Sequence, residues 1–127
     1  LEARFDRVLV DAPCTGLGTI HRRPEILLRI APTDPARMAD LQLAIARNAA
    51  RMVRPGGTLA FAVCSPTRAE GPDVADRLER EVPELRRLHD GVPGVPVTPD
   101  ADGVLRISPR GDEGPDAYQV VRFQRAT

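Results

Sequence analysis

One run of seven residues, Thr58-Leu59-Ala60-Phe61-Ala62-Val63-Cys64, constrains this chain more than any other feature, because it holds no charge and shows no alternation of polar with apolar side chains. A strand with one wet face alternates with period two. A run that is apolar along its length belongs at the centre of a parallel sheet covered on both faces. A shorter run, Arg7-Val8-Leu9-Val10, follows Phe5-Asp6 and is closed by Asp11-Ala12-Pro13, marking a second buried strand with a loop at its C-terminal end. Between the two, Met38 to Val53 places Leu41, Ile45, Ala49, Met52 and Val53 at three- and four-residue spacing, which predicts one apolar helical face. Arg54-Pro55-Gly56-Gly57 then supplies the residues that stop a helix. Glu70 to Val82 reads as a second helix, ended before Pro83.

Strand, helix, strand, helix in this order predicts an α/β fold built on a parallel crossover. Residues 13 to 37 hold four prolines and two glycines, too broken for one long helix. Residues 91 to 115 hold five Gly and five Pro and read as a loop-rich stretch. Ala117 to Gln124 gives a final strand, with Leu105 to Ser108 as a shorter partner. Two clear parallel strands are few for an open sheet, and the chain enters a strand pattern almost at Leu1. Both observations lead us to expect a fragment of a longer protein.

Composition narrows the class. Hydrophobic residues at 42% suit one globular unit, and aromatics at 3% without Trp disfavour a base-stacking platform of the single-strand-binding type. No apolar stretch approaches the ~18 residues of a membrane span, and no secretory signal opens the chain. Two cysteines in that context read as cytosolic thiols and indicate a cytoplasmic protein. All 18 basic residues are Arg and balance 18 acids. Residues 1 to 60 carry nine Arg against six acids, and the remainder nine against twelve, a difference that solvated surface alone can produce.

In an open α/β sheet, ligands sit outside the C-terminal ends of the strands. Here those ends read Asp11-Ala12-Pro13-Cys14 and Cys64-Ser65-Pro66, so neighbouring strands would bring two thiols and one carboxylate to one sheet edge. Free cysteines are often simply buried. Two of them, both at strand ends and one beside Asp-Ala-Pro, point instead to chemistry. His21, Arg22 and Arg23 follow in a loop, read either as a contact to RNA phosphates or as an exposed basic loop. His89, beyond the second helix, reads as ordinary surface.

Asp11-Ala12-Pro13-Cys14-Thr15-Gly16-Leu17-Gly18 followed by His21-Arg22-Arg23-Pro24-Glu25 resembles the Sun (Fmu) family of RNA cytosine-carbon-5 methyltransferases. Leu41-Gln42, Val53-Arg54-Pro55-Gly56-Gly57-Thr58-Leu59 and Ala62-Val63-Cys64-Ser65 continue the pattern in order. Arg106 to Arg110 and Asp116-Ala117-Tyr118 look like a diverged closing segment. The resemblance implies the C-terminal half of a Rossmann-like methyltransferase fold, with S-adenosylmethionine as cofactor, RNA (ribosomal RNA) as partner, and no membrane or metal requirement. It implies Cys64 as the nucleophile, Cys14 as the thiol that assists product release, and Asp11 as a contact to cytosine bordering the methyl-donor pocket. It also favours the RNA-contact reading of His21, Arg22 and Arg23.

The chemistry explains the residue types. Carbon 5 of cytosine is a poor nucleophile until a thiolate adds to carbon 6 and turns the ring into an enamine. A carboxylic acid near ring nitrogen 3 would stabilise that adduct. The residues alone leave open which thiol attacks, since DNA cytosine methyltransferases use the Pro-Cys thiol, and neither cysteine has a His nearby in sequence to activate it.

Three departures stand out. Glu70 is followed by Gly71-Pro72 where the family usually shows Glu-Asn, and Leu28 stands where an aromatic often precedes the Arg at 29. No Gly-rich loop follows a first strand and no acid closes a second strand to hold the cofactor ribose, so those parts are expected upstream of Leu1. The competing readings are a non-catalytic RNA-binding remnant and a dithiol redox protein, the latter disfavoured because neither cysteine belongs to a Cys-x-x-Cys pair.

Overall fold

A computed structural model describes residues 3–109 and 114–127. Five strands form one mixed sheet: β1 (Phe5–Asp11), β2 (Val53–Val63), β3 (Leu85–Arg87), β4 (Val104–Ile107) and β5 (Tyr118–Arg125). Two helices, α1 (Asp34–Ala50) and α2 (Pro72–Glu81), complete the regular structure, with short 3-10 turns at Leu17–Thr19 and Pro24–Leu28. The strand order is β1-β2-β5-β3, and β4 also pairs with β5. β3 lies beside Phe123 to Arg125 and β4 beside Tyr118 to Val121, so the two short strands share one edge of β5 end to end.

The two runs expected to be neighbouring parallel strands are so, with Val8 beside Leu59, Val10 beside Phe61 and Asp11 beside Ala62, but β1 is not the buried strand expected: it ends the strand order, and Leu9 is 70% exposed. β5 runs antiparallel to β2, as expected of the final strand. Alternation along the sheet puts Val10, Leu59, Phe61, Val63, Val121 and Phe123 on one face, all buried in the core. Ala46, Ala50, Val74 and Leu78 from the two helices cover that face.

The helix between the strands differs from expectation in bounds and in phase. α1 ends at Ala50, and Val53 already belongs to β2. Its buried stripe is Ala39, Gln42, Leu43, Ala46, Ala49 and Ala50, while Leu41 is 47% exposed. The stripe runs through alanines, whose small side chains carry little hydrophobic signal but let the helix lie close to the sheet. Arg54 to Gly57 form no free turn. They are an irregularity within β2, where pairing slips between Phe5 opposite Val53 and Arg7 opposite Thr58. Gly56 takes φ 76°, a left-handed conformation natural for glycine.

α2 starts two residues later than expected and ends one earlier. The described part of the 91–115 stretch is loop interrupted by β4, within a residue of the predicted partner strand; Arg110 and the rest of 110–113 lie outside the described residues, as does Leu1. β3, only three residues long, carries no legible pattern. It is held by Arg87, whose side chain, 7% exposed, meets Asp76 at 2.7 Å and Glu79 at 2.8 Å on α2. Among the described residues no helix is long and apolar enough to cross a membrane.

Candidate active site

Because β1 and β2 are parallel neighbours, the loops that leave them start side by side. Ala12 N–H donates to Ala62 O at 2.9 Å, which extends the ladder to the last turn before Cys14. The sulfurs of Cys14 and Cys64 then stand 2.8 Å apart, and both thiols are free and half-buried. They form the floor of a cavity of about 450 Å³, together with Thr15 and Gly16. Ile26, Ile30 and Met38 supply its apolar wall. A volume of this order suits a small ring and its substituents.

The two thiols are not equivalent. Burial, reinforced by the Cys64 sulfur, pushes the Cys14 thiol up to about 12. The two sulfurs are within hydrogen-bond reach, and either S–H can be the donor.

Asp11 is exposed and pairs with Ala62, on the sheet face turned away from the helices. It does not line the thiol cavity. It is nevertheless close in electrostatic terms, since the Tyr118 hydroxyl is raised first by burial and then by the charges of Cys64, Asp11, Cys14 and Asp116. Tyr118, at the start of β5, stands among the groups that sequence reasoning assigned to the site.

The basic trio divides. Arg22 makes a two-pronged pair with Asp116, Nε to Oδ1 at 2.9 Å, and His21 Nε2 lies 3.6 Å from the same carboxylate. Both side chains thus tie the loop to the segment that leads into β5. Arg23 turns the other way and lines the thiol cavity.

Sequence reasoning missed the polar cluster that holds the two thiol loops together. Glu70 is fully buried. Its Oε1 accepts from Thr15 N at 2.8 Å and from Gln42 Nε2 at 3.1 Å. Its Oε2 accepts from Thr15 Oγ1 at 2.8 Å, Thr67 Oγ1 at 2.9 Å and Ser65 Oγ. One carboxylate therefore grips the residue after Cys14 and the residue after Cys64. Gln42, on α1, adds a bond to Pro13 O at 3.0 Å, and Gln119, on β5, donates to Ser65 O and to Thr67 O at 2.8 Å. The signal was there in Thr67-x-x-Glu70, the spacing of a capping box, and Glu70 N does donate to Thr67 Oγ1 at 3.3 Å. The Gly71 that replaces the usual Asn lies against Gln119: a Cβ there would sit 2.4 Å from Gln119 Oε1.

Gly18 is the other fastener. Its N–H donates to Cys64 O at 2.9 Å, and its carbonyl accepts from Ala117 N at 2.8 Å. A Cβ at this position would lie 2.1 Å from Ala117 O and 2.8 Å from Cys64 O, so only glycine fits. Among the described residues no group of three or more His, Cys, Asp or Glu side chains could hold a metal ion.

The mixed α/β sheet matches that of Rossmann-like methyltransferase domains. Comparison with known proteins agrees. The profile of the family described as 16S rRNA methyltransferase RsmB/F matches residues 1–122, and the chain belongs to this family, which is the Sun/Fmu family. It is 40% identical over 122 residues to ribosomal RNA small subunit methyltransferase B of Thermus thermophilus, covering 96% of this chain and 30% of that protein. The chain therefore spans under a third of the length of that relative. The crystal structure of PH0851 superposes with a TM-score of 0.85 at 29% identity, over 98% of this chain and 27% of the other. NSun6 from Pyrococcus horikoshii, solved with SFG, shares the fold at a TM-score of 0.77 and 20% identity, over 98% of this chain and 31% of the other.

Proposed function

We propose that this chain is the C-terminal half of the catalytic domain of an enzyme that methylates carbon 5 of cytosine in RNA, and specifically in ribosomal RNA, in the cytoplasm. The observation that carries the reading is the 2.8 Å contact of Cys14 and Cys64 on the floor of one cavity. The name of the Thermus relative supports ribosomal RNA as the substrate. The SFG in NSun6, an analogue of S-adenosylmethionine, supports that methyl donor.

When bound, S-adenosylmethionine would supply an electrophilic methyl group on sulfonium sulfur. Of the residues present, Asp11 fits a place beside it, being exposed at the C-terminal end of β1; the remaining grip on the cofactor falls to other parts of the longer protein. In the proposed reaction Cys64 Sγ, as thiolate, bonds to carbon 6 while ring nitrogen 3 takes up a proton from water, with Asp11 contacting the cytosine from outside the thiol cavity. Carbon 5 of the resulting enamine takes the methyl group. A base then removes the proton from carbon 5, its electron pair re-forms the 5,6 double bond, the carbon 6–sulfur bond breaks to return the Cys64 thiolate, and ring nitrogen 3 gives its proton back to water. Cys14 serves this last step. The Cys14 thiol, pushed up by burial and held 2.8 Å from the Cys64 sulfur, suits a proton donor to it. His21 and Arg22 shape the RNA-facing loop, and Arg23 contacts RNA from the cavity side.

The test uses the full-length enzyme, a cytosine-containing RNA and S-adenosylmethionine. Cys64→Ala should abolish methyl transfer and leave no protein–RNA adduct. Cys14→Ala should still attack and methylate but fail to let go, so an adduct stable to denaturing electrophoresis accumulates. An adduct on Cys64→Ala alone would reverse the two roles, and none on either variant would make the domain a non-catalytic RNA-binding remnant.

A further inference from the structure

The thiol cavity has a feature that the reaction chemistry does not use. Three arginines line it: Arg23 before the Pro24–Leu28 turn, Arg29 after it, and Arg37 in the first turns of α1. Their side chains are 61%, 69% and 75% exposed, so none is committed to the core. Two acids face them. Glu25 takes Arg23 Nε at 3.2 Å, and Asp34 takes Arg37 Nη2 at 2.8 Å while also accepting from Ala31 N at 2.8 Å. Arg29 stands 4.0 Å from Glu25, an ion pair too long for a hydrogen bond. Each guanidinium carries five N–H donors, so most of the donors on this wall remain available to a ligand.

The chemistry of the target says what that ligand is. Carbon 6 of a pyrimidine is bonded to nitrogen 1, which carries the ribose. A base whose carbon 6 meets a thiol on the cavity floor must therefore bring its sugar and flanking phosphates against the cavity wall. Guanidinium groups recognise phosphate by paired hydrogen bonds and charge together. We infer that Arg23, Arg29 and Arg37 form a phosphate-binding wall that grips the single-stranded backbone on either side of the target nucleotide. The inference rests on the RNA-modifying reading above and assigns roles to Arg29, which the sequence marked only as the residue after Leu28, and to Arg37, which no sequence motif marked. It also separates these three from Arg22, whose guanidinium is engaged by Asp116 outside the cavity.

Salt dependence tests it, because a lost phosphate contact is read as a lost counterion and a lost fold is not. Binding of the full-length enzyme to a fluorescent single-stranded RNA oligonucleotide containing one cytosine is titrated across salt concentrations, with the deoxy-oligonucleotide of the same sequence as a second arm. Arg29→Ala and Arg37→Ala should each weaken binding and flatten the plot of log affinity against log salt by ~0.7, the value for one phosphate on a single strand. Arg80→Ala, at the far end of α2, should leave the slope unchanged. The inference is overturned if the wild-type enzyme shows no salt-dependent binding, or if the wall variants lose stability in urea while keeping the wild-type slope, which would make the arginines local ion-pair partners only. Equal slope changes on RNA and DNA are what a phosphate contact gives, whereas methyl transfer to the deoxy-oligonucleotide as readily as to the RNA would uphold the wall and refute the RNA reading.

Discussion

Replacing Glu70 by Ala should cost about 2–5 kcal/mol of folding stability, because several buried neutral donors lose their common acceptor at once. The figure follows from which donors find other partners. Ser65 Oγ keeps Thr67 Oγ1 at 3.2 Å, and Gln42 Nε2 keeps Pro13 O at 3.0 Å, so those two groups are partly compensated. Thr15 N–H donates to Glu70 Oε1 and would be left without it, at a desolvation penalty of ~1–3 kcal/mol. The bonds from Thr15 Oγ1 and Thr67 Oγ1 to the carboxylate are worth ~1.5–3 kcal/mol each when the acceptor is charged, but their hydroxyls can rotate, so only part of that is lost. Against a total of ~5–15 kcal/mol for a domain, the loss is large. Glu70→Gln keeps the shape and one acceptor oxygen but turns an amide nitrogen toward donors, and should cost less than the Ala variant. Urea titration of the chain by circular dichroism measures both, with the slope m checked for constancy. The thiols of the Ala variant should also react faster with a thiol reagent, because the loops after Cys14 and Cys64 lose their shared anchor. An Ala variant within ~1 kcal/mol of wild type would refute the claim that this carboxylate holds the site together.

Other outcomes follow from the same structure. Leu43→Ala should cost ~2–5 kcal/mol and Leu41→Ala almost nothing, because Leu43 is 3% exposed and Leu41 47%; equal costs in urea would overturn the phase of α1. Gly18→Ala should destabilise by ~1–3 kcal/mol or more, since its Cβ meets two backbone carbonyls that cannot move independently of Cys64 and Ala117, and a thermal melt within a degree of wild type would contradict the packing. Cys14 holds its proton in the fold up to about 12 but gives it up near 9 in the unfolded chain, so stability should fall as pH rises between those values. Tyr118, also raised, contributes in the same direction, and the Cys14 share is isolated by comparison with Cys14→Ala, whose decline over that range should be shallower.

The sequence by itself determined the elements whose cause is local. The apolar run Thr58 to Cys64 and the stop at Asp11-Ala12-Pro13 made two parallel strands delivering Cys14 and Cys64 to one edge readable from the chain, but not their covering, since both helices pack on one face and Leu9 is 70% exposed. Tertiary structure decided what depends on residues far apart. α1 turns its alanines and Leu43, not Leu41, to the sheet, because close approach of a helix favours small side chains that periodicity barely registers. Arg22 and Arg23 are sequence neighbours, yet Asp116, far along the chain, draws one away and leaves the other in the cavity. Glu70 looks like a helix-start residue in sequence, and becomes the common acceptor of both thiol loops only when β1 and β2 pair and α1 brings Gln42 above them. A buried carboxylate takes its meaning from the donors that surround it, and those donors come from three separate stretches of chain that only the fold brings together.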